Sequence, residues 1–198
     1  MHQRVWKLVR MRVSSPFRIG STATLGLLVG LVAQIGATTL QQLTLDDMVR
    51  QSTSIVRVRI GGSRSAYQGS AIYTYFQLQV LETWKSSGKP GARNATEVAV
   101  PGGAVDGIRQ NVTGAPELKS GQEYVLFLWT SRSGLTQVIG LSQGRFSVFG
   151  DLVQRPPASE LMLDRSGRPV EDQAMNLRLQ DLRTQVLQAL RLTREGAE

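Results

Sequence analysis

The chain has no cysteine, and its single histidine is His2, five residues ahead of Lys7 in a basic N-terminal stretch. Beyond that stretch there is neither imidazole nor thiol. Ser-His-Asp and Cys-His nucleophile systems are therefore excluded. So are zinc sites built on His and Cys. Chemistry by a carboxylate pair and calcium held by oxygen ligands survive these absences. Asp46, Asp47, Asp106 and Asp151 are the candidate acids, and none lies in an EF-hand spacing. A phosphate-binding P-loop is also missing. The glycine it needs would fall at Thr83 for Lys89 and at Thr113 for Lys119. Gly102, Gly103 and Gly107 do not form the dinucleotide fingerprint. No residue pattern calls for a cofactor or a metal.

Acidic residues are absent from residues 1–37, which carry Arg4, Lys7, Arg10, Arg12 and Arg18. The formal net charge of +8 is thus concentrated at the N-terminus. The remainder has 18 of the 23 basic residues against all 15 acidic ones, a net of +3. A body so nearly balanced argues against a nucleic-acid partner. The basic stretch runs into the apolar block Leu25-Gly26-Leu27-Leu28-Val29-Gly30-Leu31-Val32 and then into small residues around Ala33, Gly36 and Ala37. This is the layout of an export signal. Ala37 suits a cleavage site and Ile35 does not, so residues 1–37 read as a signal peptide or as an N-terminal membrane anchor through residues 19–37. Either way the positive flank stays in the cytoplasm and the body is exported to the periplasm, the medium or the outer side of the inner membrane. An exported domain without disulfides must be held by its core, which fits the bacterial envelope. Asn94-Ala95-Thr96 and Asn111-Val112-Thr113 then read as ordinary loop residues rather than glycosylation sites.

The body beyond residue 37 is strand-rich. Thr44 and Asp47 form a capping pair for a short helix over Leu45–Gln51. Residues 54–60 alternate Val56, Val58 and Ile60 with Arg57 and Arg59, and Gly61-Gly62-Ser63 should end that strand. Residues 72–84 form a longer one, long enough to bend and serve two parts of a barrel. Its polar face carries Tyr73 and Tyr75, read as cross-strand pairing residues in preference to a stacking platform. Residues 97–100 make another strand, stopped by Pro101-Gly102-Gly103. The segment Gly121-Gln122-Glu123-Tyr124-Val125-Leu126-Phe127-Leu128-Trp129 organises the rest. It is apolar on both faces, so both should be covered, with Trp129 facing the same way as Val125 and Phe127. Residues 137–141 and 144–149 are the last expected strands. Residues 151–169 look irregular. Residues 171–194 should be helical, with Met175, Leu179, Leu182, Val186, Ala189 and Leu190 on one stripe and Arg178, Arg183, Arg191 and Arg194 mostly off it. That helix is expected to pack on the sheet, partner-binding and lipid-surface roles being the alternatives.

The order of motifs resembles that of a group of exported bacterial proteins with no assigned activity. The motifs are Ser54-Ile55-Val56-Arg57-Val58, Val80-Leu81-Glu82-Thr83-Trp84-Lys85, Pro101-Gly102-Gly103, the organising strand, and Gly140-Leu141-Ser142-Gln143-Gly144-Arg145-Phe146. More distantly, residues 44–149 are similar in layout to the netrin-like OB-fold of the tissue inhibitors of metalloproteinases. That resemblance implies a barrel. It does not carry over the inhibitors' mechanism, which uses an N-terminal cysteine on the protease zinc.

The expected architecture is therefore mainly β, with three parts. Residues 1–37 are the export segment. Residues 38–150 form an OB-like barrel of five or six strands. Residues 151–198 supply an irregular segment and a C-terminal α-helix. The expected function is a non-enzymatic binding or interaction module whose partner is an envelope or extracellular protein. A protease-inhibitor-like or protease-associated protein and a carboxylate-dependent hydrolase are the alternatives. The connection 101–116 is longer than topology needs, and loops on a rigid scaffold are where binding residues concentrate. Its candidate contact residues are Pro101, Gly102, Gly103, Asp106, Arg109, Gln110 and Asn111. The competing role for the same residues is closure of one end of the barrel.

Overall fold

The computed structural model describes residues 39–86 and 96–195. The export segment, its span 19–37, His2 and Asn94 lie outside the described residues. None of the described helices is long and apolar enough to cross a membrane.

The chain enters through β1 (Thr39–Gln41) and α1 (Leu45–Gln51). The capping pair is as expected. Thr44 Oγ1 accepts from the Asp47 N–H at 3.1 Å, and the Thr44 N–H donates to Asp47 Oδ2 at 3.2 Å. Each bond satisfies a backbone donor that a helix start leaves free. Asp47 is buried and also accepts from Arg50 and Arg165.

Strands β2 (Ser54–Gln68) and β3 (Ala71–Lys85) form one long antiparallel hairpin. Gly61-Gly62-Ser63 does not end β2, contrary to expectation. The register slips between Ile60 and Ser63 and the ladder continues. Glycine inside a strand marks a bulge as readily as an end. Next come β4 (Glu97–Pro101), β5 (Gly103–Val105), β6 (Ile108–Gln110), β7 (Glu123–Thr130), β8 (Thr136–Val138) and β9 (Arg145–Phe149). Residues 151–169, expected to be irregular, contain β10 (Leu152–Arg155), β11 (Leu161–Leu163) and the start of β12 (Pro169–Val170). β11 pairs in parallel with β1.

Residues 175–178 are also corrected. Met175 fits a helical stripe, but Met175 and Leu177 equally fit a two-residue alternation. The free edge of β10 decides between them, pairing Val153 with Leu177 and Arg155 with Met175. These residues are β13 (Met175–Arg178), and α2 (Leu179–Glu195) starts only after it. The Asp151 carbonyl accepts from the first helical N–H, that of Leu179, at 2.7 Å.

The main sheet runs β13-β10-β9-β7-β2-β3-β4, with β8 also on β7. The organising strand β7 sits near its middle, and its two faces feed two cores. Val125 and Phe127 pack with Met48, Ile55, Phe146, Val153, Leu182 and Val186, so α1 and α2 cover that face. The C-terminal helix therefore packs on the sheet through the expected stripe. Tyr124, Leu126 and Leu128 face Val56, Val58, Leu78, Val98, Val100 and Val138. Trp129 departs from expectation. It is 45 % exposed and lies outside the core that α1 and α2 cover. β8 lies alongside β4. No hydrogen-bonded ladder joins the two among the described residues, so the sheet is not closed into a barrel.

Candidate functional site

The connection after β4 begins at a chain edge that must be satisfied. Tyr73 pairs with Pro101, and beyond that point β3 loses its partner strand. The Ile72 carbonyl accepts from Gly102 N–H at 2.8 Å, and its N–H donates to the side-chain Gln110 Oε1 at 2.7 Å. Gln110 thus stands in for a missing strand. Gly102 and Gly103 have φ of +101° and +137°. A Cβ on Gly103 would lie 2.5 Å from Thr74 Oγ1 and 2.7 Å from Ser65 Oγ. Only glycine lets the backbone pass here. Thr74 Oγ1 donates to the Gly102 carbonyl at 2.9 Å and clamps the passage.

From this base the chain makes a hairpin. Gly103, Ala104 and Val105 pair with Gln110, Arg109 and Ile108. The two-residue turn is Asp106-Gly107, at φ +50° and +79°. Asp-Gly is the residue pair such a turn prefers, because both positions need positive φ. The signal was present in Val105-Asp106-Gly107-Ile108. It shows why residues 101–116 form a structured arm. β5 and β6 form a separate two-stranded ribbon rather than extending the main sheet. Ile108 on it is 58 % exposed. Asp106 and Arg109 are exposed and form no ion pair among the described residues.

The seven expected contact residues therefore separate into two groups. Pro101, Gly102, Gly103, Gln110 and Asn111 line a cleft of about 430 Å³ between the ribbon base and residues 115–119. Asp106 and Arg109 stand apart from it, on the ribbon's outer half. The first group is largely occupied with backbone satisfaction. The second is free to meet a partner.

Asp46 and Asp47 share a surface depression with Asp164, Arg50, Arg165 and Arg168. Burial pushes the Asp47 carboxyl up, but hydrogen bonds from Thr44 and the Arg165 guanidinium outweigh it and hold it below its ordinary value. The Ser166 hydroxyl and the Arg168 N–H hold Asp164 below its own. A glycosidase-type pair needs one carboxyl raised so that it can donate a proton, and both of these are shifted the wrong way. Asp106 is at the ribbon turn, and Asp151 is in the β9–β10 turn.

Tyr73 and Tyr75 are neighbours on one face of β3, with ring centroids 6.5 Å apart. Tyr75 does find a cross-strand partner. Arg64, opposite it on β2, lies 4.5 Å from its ring centroid. Comparison with known proteins adds no assignment: no family model matches this chain, and neither does a curated protein or a solved structure.

Proposed function

We propose that the chain is an exported, non-enzymatic binding module of the bacterial envelope, and that the β5–β6 ribbon carries its contact with an envelope or extracellular protein. The observation that supports this most is the ribbon itself. It is anchored at its base by Gly103, Gln110 and Thr74, and it presents Asp106, Ile108 and Arg109, neither charged side chain having an ion-pair partner among the described residues. A rigid base under exposed mixed side chains lowers the ordering cost of binding.

In this reading the scaffold is an OB-like barrel left open along one seam. The order β4-β3-β2-β7-β8 returns β8 to the side of β4, and Val138 of β8 packs against the core that holds Val98 and Val100. A five-stranded, partly open barrel is the hallmark of that fold. Export rests on the basic stretch and apolar block of residues 1–37. The body should therefore fractionate with the periplasm, the medium or the membrane of its native host. Recovery of the intact chain from cytosol would overturn the placement.

The contact is tested by using the tagged chain to capture partners in envelope extract. Asp106→Asn, which removes the charge but tolerates the positive φ of the turn, combined with Arg109→Ala should leave the melting temperature nearly unchanged, since both side chains are exposed. The same double variant should weaken partner binding at least about tenfold, or about 1.4 kcal/mol. Unchanged affinity in a folded double variant would remove the ribbon from the interface.

A further inference from the structure

A second cleft, on another part of the molecule, is built differently. About 580 Å³ in volume, it lies between β1, the end of α1 and the chain after β8. Leu40, Trp129, Ile139 and Leu141 supply its apolar surface, and Gln51 and Gln137 its polar side chains. Among the described residues no charged side chain lines it. Its volume lies in the range of small-molecule sites.

Three groups in the cleft have hydrogen-bonding capacity to spare. Among the described residues, the Trp129 indole N–H and the amides of Gln51 and Gln137 have no hydrogen-bond partner. Trp129 and Gln137 are directly opposed on β7 and β8, so their side chains rise from the same face. An aromatic plane thus stands beside an amide that both donates and accepts.

The wall is held in place from behind. Gln143, 1 % exposed, accepts from Leu43 N–H at 2.8 Å and donates to the Gln41 carbonyl at 3.1 Å. These bonds tie the chain after β8 to the N-terminal segment. Leu141 on this wall has φ +56°. That conformation is strained for a residue with a Cβ, and such strain concentrates at binding sites.

We propose that this cleft binds the pyranose ring of a neutral glycan, with Trp129 as the stacking surface and Gln51 and Gln137 as hydrogen-bonding groups. The lack of lining charge disfavours an ionic ligand. The unspent amides disfavour an alkyl chain, which would leave them unpaired. A pyranose has apolar C–H faces for the indole and hydroxyls at its edge for the amides.

The test is calorimetric titration of the full chain with chitotetraose, cellotetraose and maltotetraose, and separately with decanoate. At least one of the three sugars should bind. Trp129→Ala should weaken that binding at least about tenfold and Gln137→Ala about threefold or more. Trp129→Phe, which keeps an aromatic plane, should fall between wild type and Trp129→Ala. All three variants should retain the wild-type melting temperature within a few degrees, because the altered side chains are partly exposed. Three results would each overturn the proposal. They are the absence of sugar binding up to about 10 mM, sugar binding that Trp129→Ala leaves unchanged, and binding of decanoate in place of the sugars with loss in Trp129→Ala.

Discussion

Phe127→Ala should lower the unfolding free energy by about 3–5 kcal/mol, the cost of deleting a large buried aromatic and leaving a cavity. Phe127 is fully buried at the middle of β7. Its ring centroid lies 5.6 Å from that of Phe146, with the planes tilted by 46°. The same core holds α1 and α2 through Met48, Leu182 and Val186. The vacated space would thus adjoin two helices and two strands, whose own hydrogen bonds restrain their collapse into it. Folded domains are stable by only about 5–15 kcal/mol, so the loss should move the urea midpoint far from wild type. A midpoint within error of wild type would mean that β7 does not organise the core.

A second large effect is expected at the other end of the sheet. Asp172→Ala should cost about 3–5 kcal/mol, because it strands a buried charge. Arg155 donates to both Asp172 oxygens at 2.9 Å, and the two side chains are 7 % and 2 % exposed. Asp172 Oδ2 also accepts from the Ala158 N–H at 2.8 Å, fastening the chain after Pro156-Pro157. Without Asp172 the guanidinium would keep only the Gln173 carbonyl, at 3.0 Å, and its Nε already lacks a partner. Arg155→Met with Asp172→Leu should recover much of the loss, since replacing both charges leaves neither stranded. A loss below about 1 kcal/mol for Asp172→Ala would show that water reaches the pair.

The same carboxylate makes stability sensitive to acid. Burial pushes its pKa up, but the Arg155 hydrogen bonds and the Ala158 N–H outweigh that and leave it below its ordinary value of 3.8. A group whose pKa is depressed by folding binds its proton more readily in the unfolded chain. Its contribution is complete above the unfolded pKa and is lost as pH falls through the folded one. Glu82 and Glu123 shift the same way, Glu82 through the Trp84 indole and Arg57, Glu123 through Arg57 and Arg59. Acid titration of the wild type should therefore show a stability loss below the carboxylate range that is shallower in Asp172→Ala.

Local patterns in the sequence were enough for the elements that satisfy themselves locally. The capping pair at Thr44 and Asp47, the apolar strand 123–130 and the stripe of Leu182, Val186 and Ala189 all declare a period or a cap within a few residues. The candidate connection was legible as a place but not as an object. Its turn chemistry lies in Asp106-Gly107, whereas the base depends on Gln110 meeting an edge amide of Ile72, 38 residues earlier.

Where two periods fitted the same residues, only the tertiary structure decided. Met175 and Leu177 could lie on a helix or a strand, and the free edge of β10 settled it. Gly61-Gly62-Ser63 could end a strand or bend one, and continued pairing with β3 made it a bulge. Trp129 looked like core because its neighbours two and four residues before it are core, yet it lies outside the core that α1 and α2 cover. The residue pattern thus determined which segments had apolar faces to bury. What each face met was set by long-range packing, because a backbone edge or apolar side chain can be satisfied by any suitably shaped neighbour, however distant in the chain.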